Sequence, residues 1–333
     1  GPKPLVHGTT GANWDFHHSL DLGGVEAAIG RHYQAWRHGH TSARCHPIFM
    51  CSDGAGTGKS RLLNGFPNVL RHQIFRGESQ GDQAMKQLMR NAYTFNVTFE
   101  NETANNHNFS DPCKMIRTRM LYQLQDTIDW TDFKENPVHQ VTPEEVLRLL
   151  SKVTGTEVSE MCVILCVDGL EKLQHEPGNW KSAFYSMLSQ FCDTVNGSKS
   201  WVVLICSTTA CQPVIEFLTY SSQCMVMLQT TPLKRPTING KDVFDTFNDG
   251  NRALTDLFVS DMGGHGRALE ELFDVMLRYQ GHAFEFNPVL RDVLAAIRHA
   301  YPDIVVQMEC LNEVFRAVIF LVGELMYTHA SEL

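Results

Sequence analysis

Eight residues, Asp53–Ser60, read Asp-Gly-Ala-Gly-Thr-Gly-Lys-Ser and constrain the fold of this chain more than any other segment. They follow an apolar run at 47–51 and precede a helix-like run at 61–65. A strand, a glycine-rich loop and a helix that begins with Gly-Lys-Ser form a phosphate-binding P-loop. The glycines let consecutive backbone N–H groups face one anion, and the helix directs its positive end to the same point. The segment therefore predicts an α/β fold that binds phosphate groups.

The residues of this loop have separate predicted roles. Lys59 is expected to bridge the β- and γ-phosphates, and Ser60 is expected to ligate Mg²⁺. The strict motif has glycine at position 53, where this chain has Asp53. That carboxylate either repels phosphate or bonds to backbone N–H groups and shapes the loop. The residues predicted to contact the nucleotide are Gly54, Ala55, Gly56, Thr57, Gly58, Lys59, Ser60 and Arg61.

A second apolar run supports this assignment. Residues 161–167 carry no charge and are rich in valine, isoleucine and leucine, which is typical of a strand buried on both faces of a parallel sheet. The run ends at Asp168, which is predicted to hold Mg²⁺ through water. Glu171 is predicted to orient the attacking water. The competing interpretation makes Asp168 a helix cap and Glu171 a solvated residue of a first helical turn.

Two later segments carry further candidates. A third apolar strand ends in Ser207, Thr208 and Thr209, and Thr208 or Thr209 is the candidate sensor of the γ-phosphate. The alternative is an ordinary loop rich in serine and threonine. Nearer the C-terminus a glycine turn opens a helix with Arg267 in its first turns. A cation is unfavourable at a helix N-terminus, which indicates contact with phosphate; the alternative is an exposed arginine in a helix–helix turn.

The order of the elements predicts the fold class. Strands separated by helices imply a parallel sheet with right-handed crossovers and a ligand at the carboxyl ends of the strands. We expect a three-layer P-loop NTPase fold with a mostly parallel sheet, of the class with an additional strand, followed by an all-helical domain. The predicted domains are a lead segment at 1–44, an NTPase core at 45–238 and a helical domain at 239–333.

Composition limits the partners. A net charge of −9 argues against a broad nucleic-acid footprint. The longest apolar stretch, 317–323, is far short of a membrane span. The ten cysteines include no Cys-x-x-Cys pair, which favours reduced thiols in the cytoplasm or nucleus. We expect a nucleotide ligand, with a protein partner or self-association, and no membrane.

Four segments together resemble the NTPase region of Crinkler proteins, and the resemblance covers roughly residues 40–280. The related retrotransposon hot spot proteins share the layout. The resemblance implies a STAND/AAA+-type module that takes ATP or GTP with Mg²⁺, and an effector-type protein that is secreted and delivered to a host cell. In that family a nuclease-like or kinase-like domain commonly follows, so nucleic acid is expected only through such a further domain. The segments are 56–63, 98–103, 167–173 and 263–270.

These observations predict weak or regulated nucleotide hydrolysis, with Lys59, Glu171 and Arg267 as the catalytic residues. The alternative is a hydrolysis-dead scaffold that uses a nucleotide as a structural cofactor and binds a protein or nucleic acid. A P-loop kinase would need clustered arginines in a lid, and Arg117 and Arg119 are the one close pair within a core segment. The arginine finger stays open among Arg61, Arg117, Arg119 and Arg252.

Overall fold

The computed structural model describes residues 5, 9–16, 20–73, 83–99, 112–125, 129–135, 142–173, 182–209, 211–247, 252–280 and 286–300. The chain divides into two compact units, Gly1–Leu233 and Lys234–Leu333. The sequence also predicts a helix at 308–328 and a polar loop at 101–111, and both ranges lie outside the described residues.

The first unit contains a five-stranded sheet. Its strands are β1 (Ile48–Ser52), β2 (Tyr93–Thr98), β3 (Cys162–Asp168), β4 (Trp201–Thr208) and β5 (Met225–Leu228). Every pairing in it is parallel, and the spatial order is β2-β3-β4-β1-β5. Strand β4 therefore lies between the P-loop strand β1 and the acidic strand β3. The predicted additional-strand α/β class is confirmed.

Helices cover both faces of this sheet. One buried cluster packs the first three helices of the chain on one face of the sheet. A second buried cluster packs the next five helices on the opposite face. Successive β4 residues alternate between the two clusters, which is why the strand is apolar throughout. The helices are α1 (Leu22–Arg37), α2 (Lys59–His72), α3 (Gln83–Arg90), α4 (Pro112–Gln123), α5 (Trp130–Glu135), α6 (Pro143–Thr154), α7 (Ala183–Gly197) and α8 (Cys211–Tyr220).

The second unit contains α9 (Arg252–Asp261), α10 (Gly266–Arg278) and α11 (Phe286–Ala300). It also has a small antiparallel hairpin of β6 (Thr237–Ile238) and β7 (Lys241–Asp242), which an all-helical prediction misses. Strands of two residues are too short to show alternating hydrophobicity, so the pattern had no signal to find.

The turn of this hairpin is Asn239-Gly240, and both residues have positive φ, 52° and 74°. That backbone matches the twist of a two-residue hairpin, and Asn-Gly is its preferred sequence. Arg235 bonds to Asp242 of β7 and, at 2.5 Å, to Asp256 of α9. The hairpin is thereby tied to the helices.

Among the described helices of the chain, none has the length and apolar character that crossing a membrane requires.

Candidate functional site

The P-loop begins where β1 ends, and α2 begins at its Lys59. Gly56 and Gly58 have φ of 75° and 98°, a region that residues with a Cβ rarely adopt. Gly58 is also the N-cap of α2, so the loop enters the helix through a left-handed residue. These positive φ values explain why glycine occupies positions 56 and 58. The same turn leaves the N-terminus of α2 facing the loop.

The backbone of Gly54 takes part in three hydrogen bonds inside the loop. Its carbonyl oxygen accepts from the Lys59 ammonium at 2.7 Å and from the Thr57 hydroxyl at 2.9 Å. Its N–H donates at 2.7 Å to the Asp53 carboxylate. The second oxygen of that carboxylate accepts a hydrogen bond from Thr230, which follows β5. Asp53 is thus bonded to the loop and to a neighbouring segment.

Asp168 ends β3 in a buried position, with 2% of its surface exposed. The Ser207 hydroxyl donates to Asp168 Oδ1 and accepts from the N–H of Gly169 at 3.1 Å. Ser207 is 1% exposed. The sequence marked this serine only as part of a polar strand end and missed its contact with the carboxylate. The available signal was alternation, since Asp168 and Ser207 lie on the same sheet face as Cys166 and Ile205.

The loop and the acidic strand meet around one buried thiol. Cys51, at the end of β1, is fully buried, and burial raises the pKa of its thiol to about 12. The positive charge of Lys59 lowers this pKa, and the carboxylates of Asp53 and Asp168 raise it. Cys51 also lies opposite Ser207 in the parallel register, and Ser207 bonds to Asp168, so the loop and the acidic strand end close together at one edge of the sheet.

Glu171 lies in a short 3-10 helix, Leu170–Leu173, directly after the acidic strand. Its carboxylate accepts a hydrogen bond from the N–H of Thr209 at 3.2 Å. Thr209 is exposed, whereas Thr208 is fully buried. The two sensor candidates are thus in different surroundings, and the exposed one lies beside the predicted base. Their roles stay predictions.

The predicted arginines lie in three different environments. Arg61 donates to the carbonyl of Gly11, so its guanidinium holds the N-terminal segment against α2. Arg119 is 2% exposed, and burial lowers its pKa to about 9. A guanidinium buried between the rings of Phe99 and Trp130 cannot reach a nucleotide on another molecule. Arg117 is also buried, so neither residue of this pair can serve a kinase-type lid.

Arg267 lies in the first turn of α10 in the second unit. Its guanidinium pairs with Glu270, three residues on, at 2.9 Å. This ion pair offsets the unfavourable helix dipole locally, so the dipole gives no independent reason to expect a phosphate. A role for Arg267 toward the γ-phosphate stays a prediction. Arg252 is exposed and lies 3.9 Å from Asp256.

The donor atoms present fit a nucleotide-bound magnesium ion. Mg²⁺ prefers oxygen ligands and is commonly held by one or two carboxylates together with substrate phosphates. The Ser60 hydroxyl and the buried Asp168 carboxylate supply that kind of oxygen. Within the described part of the chain, no group of three or more His, Cys, Asp or Glu side chains could hold a metal alone.

The strand order and the glycine loop define the fold of an additional-strand P-loop NTPase. The chain is 34% identical to Crinkler effector protein 108 of Phytophthora sojae in an alignment of 316 positions that covers 91% of this chain. The chain spans 37% of that protein. The predicted resemblance to Crinkler proteins is thereby confirmed for this region. No family model matches the chain.

Three solved structures show a weak similarity to this chain. The ORC2 protein of Aeropyrum pernix, in its ADP form, is 12% identical with a TM-score of 0.46, over 81% of this chain and 67% of that one. The structure of its ADPNP-ADP complexes is 12% identical with a TM-score of 0.48, over 89% of this chain and 72% of that one. PCH-2 of C. elegans is 11% identical with a TM-score of 0.40, over 84% of this chain and 69% of that one. With TM-scores below 0.5, these likenesses add nothing to the strand order described above.

Proposed function

We propose that this chain binds ATP or GTP with Mg²⁺ where β1 and β3 end, and that it hydrolyses the nucleotide weakly or under control. The observation that carries the proposal is the position of the two strand ends: Cys51, at the start of the loop, lies opposite Ser207 in the parallel register, and Ser207 bonds to Asp168. A phosphate-binding loop and an acidic strand end that lie at one sheet edge form a site for a phosphate and a divalent cation together.

Each residue has one task in this proposal. The loop N–H groups and the α2 N-terminus bind the phosphates, and the Lys59 ammonium keeps its bond to the Gly54 carbonyl while another of its three N–H groups donates to a phosphate oxygen. Ser60 and Asp168 hold Mg²⁺, which when bound neutralises phosphate charge. Glu171 accepts a proton from water and orients it. Arg267 keeps its predicted role toward the γ-phosphate as part of this proposal.

A hydrolysis-dead scaffold is the second candidate, and one observation favours it. One oxygen of the Glu171 carboxylate already accepts from the Thr209 N–H at 3.2 Å, so only its other oxygen is left to orient a water. In that case the nucleotide would be a structural cofactor and the chain would bind a protein, another copy of itself or a nucleic acid. Delivery to a host cell rests on the Crinkler resemblance alone, whereas the cytoplasm or nucleus as the place of action rests on the cysteines that are free in the described residues; both are part of this proposal.

The first experiment tests nucleotide binding. Mass spectrometry of nucleotide released on denaturing the purified protein identifies the base, and titration calorimetry with ATP–Mg²⁺ and GTP–Mg²⁺ measures affinity. Lys59→Ala should lose binding and keep its fold, because the ammonium contacts the loop and not the core. Lys152→Ala, in which an exposed lysine of α6 is removed, is the matched control. Equal affinities in the parent and Lys59→Ala would show that the site is misplaced.

The second experiment separates the two candidates. Glu171→Gln should keep nucleotide binding and lower phosphate release by about 10²–10⁴. Glu160→Gln, which changes an exposed glutamate, should behave as the parent. Phosphate release that is absent from the parent would favour the scaffold, whereas release that survives Glu171→Gln would assign the base to another residue.

A further inference from the structure

Asp53 stands where the P-loop motif has its first glycine, and its side chain has a hydrogen-bond partner outside the loop. Thr230 lies two residues after β5, 177 positions along the chain, and its hydroxyl donates to Asp53 Oδ2. Asp53 Oδ1 accepts from the Gly54 N–H at 2.7 Å. Both carboxylate oxygens therefore have a donor, one within the loop and one outside it.

These bonds continue to the residue that is expected to meet the phosphates. Gly54 donates its N–H to Asp53 and accepts from Lys59 at its carbonyl oxygen, both at 2.7 Å. These two groups belong to successive peptide units that meet at the Gly54 Cα, so holding both of them restricts where the Lys59 ammonium lies. Thr57 bonds to the same carbonyl at 2.9 Å, which restricts the loop further.

We infer that Asp53 and Thr230 form a clasp that positions Lys59 through Gly54, so that Thr230 is a positioning residue for phosphate binding. The inference rests on the proposed nucleotide site and deepens it. In the opposing account Asp53 acts as a negative charge that repels the phosphates. Two donors on the carboxylate favour the clasp, because a bonded carboxylate has a fixed direction and part of its charge is already compensated.

The two accounts predict opposite effects on affinity. If the clasp positions the loop, Thr230→Val, which keeps the shape and removes the hydroxyl, should weaken ATP–Mg²⁺ binding about fivefold, the usual scale for one such hydrogen bond. Asp53→Gly should also weaken binding. The double variant should bind like Asp53→Gly, because bonds in one chain are not additive. If Asp53 only repels, Asp53→Gly should tighten binding, and the gain should shrink as salt rises.

The experiment is titration calorimetry on the parent, the two single variants and the double variant at two salt concentrations, joined with amide hydrogen exchange of residues 53–60 without nucleotide. The control is Thr219→Val, which removes an exposed hydroxyl that donates to Ile215 within α8. It should lie within about twofold of the parent. The clasp predicts that Thr230→Val speeds exchange of the Gly54 N–H, whether or not any nucleotide binds.

The outcomes are distinct. Unchanged Gly54 exchange and affinity in Thr230→Val would overturn the clasp, and so would tighter binding by Asp53→Gly. If the parent binds no nucleotide but Thr230→Val still speeds exchange, the clasp stands and the proposed function fails. Faster exchange, weaker binding and a non-additive double variant would establish Thr230 as a positioning residue.

Discussion

Two aspartates at one edge of the sheet make the same kind of contact in opposite surroundings. Asp168, at the end of β3, accepts from the Ser207 hydroxyl of β4, and both residues are almost fully buried. Asp53, just after β1, accepts from the Thr230 hydroxyl beyond β5, and its side chain is exposed. Water and salt screen the second contact and hardly reach the first. The buried pair should therefore govern stability and metal binding, whereas the exposed pair should tune affinity.

The largest expected effect comes from the buried charge. Asp168→Asn keeps the shape of the side chain and removes the carboxylate that we propose holds Mg²⁺ through water. We expect the Mg²⁺-dependent part of ATP affinity to fall about 10- to 100-fold, the range for groups that support a metal from the outer shell. Calorimetry with Mg²⁺ and with EDTA measures that part directly. Equal Mg²⁺ dependence in the parent and the variant would remove Asp168 from the site.

A smaller effect is expected from its partner. Ser207→Ala takes the donor from Asp168 Oδ1 and the acceptor from the Gly169 N–H, both of them buried. Leaving buried polar groups without this hydroxyl should lower the free energy of unfolding by about 1–3 kcal/mol. The Mg²⁺ requirement should also rise, because the carboxylate is less well oriented.

The control for this variant is Ser200→Ala, immediately before the same strand. Ser200 is 1% exposed, and within the described residues its hydroxyl has no hydrogen-bond partner. Chemical denaturation should show little or no loss of stability for this control. A loss equal to that of Ser207→Ala would show that burial alone, and not the contact with Asp168, explains the effect.

The smallest effect on stability should come from the exposed pair. Asp53→Gly and Thr230→Val should each change the free energy of unfolding by no more than about 0.5 kcal/mol, as is usual for surface substitutions. Denaturation of the protein without nucleotide measures this. If either variant loses as much stability as Ser207→Ala, the two aspartates are alike and exposure is not what separates them.

Much of the sheet could be predicted from the sequence because its strands are buried on both faces. Such strands appear as uninterrupted apolar runs, and three of them end in the polar residues that a parallel sheet brings to one edge. The P-loop was visible for a different reason. Its glycines are needed at positions of positive φ, so the backbone itself demands a recognisable pattern. The class of fold therefore followed from the order of motifs.

The sequence by itself determined which residue types lie at the strand ends, since that information is local. Only the tertiary structure decided which of them touch: Ser207 bonds to Asp168, Thr230 to Asp53, and Arg61 to the N-terminal segment. Alternation along a strand tells which face a side chain takes, but it does not tell which strand lies beside it. That neighbour depends on the spatial order β2-β3-β4-β1-β5, in which strands far apart in the chain become adjacent because burial and pairing are satisfied together.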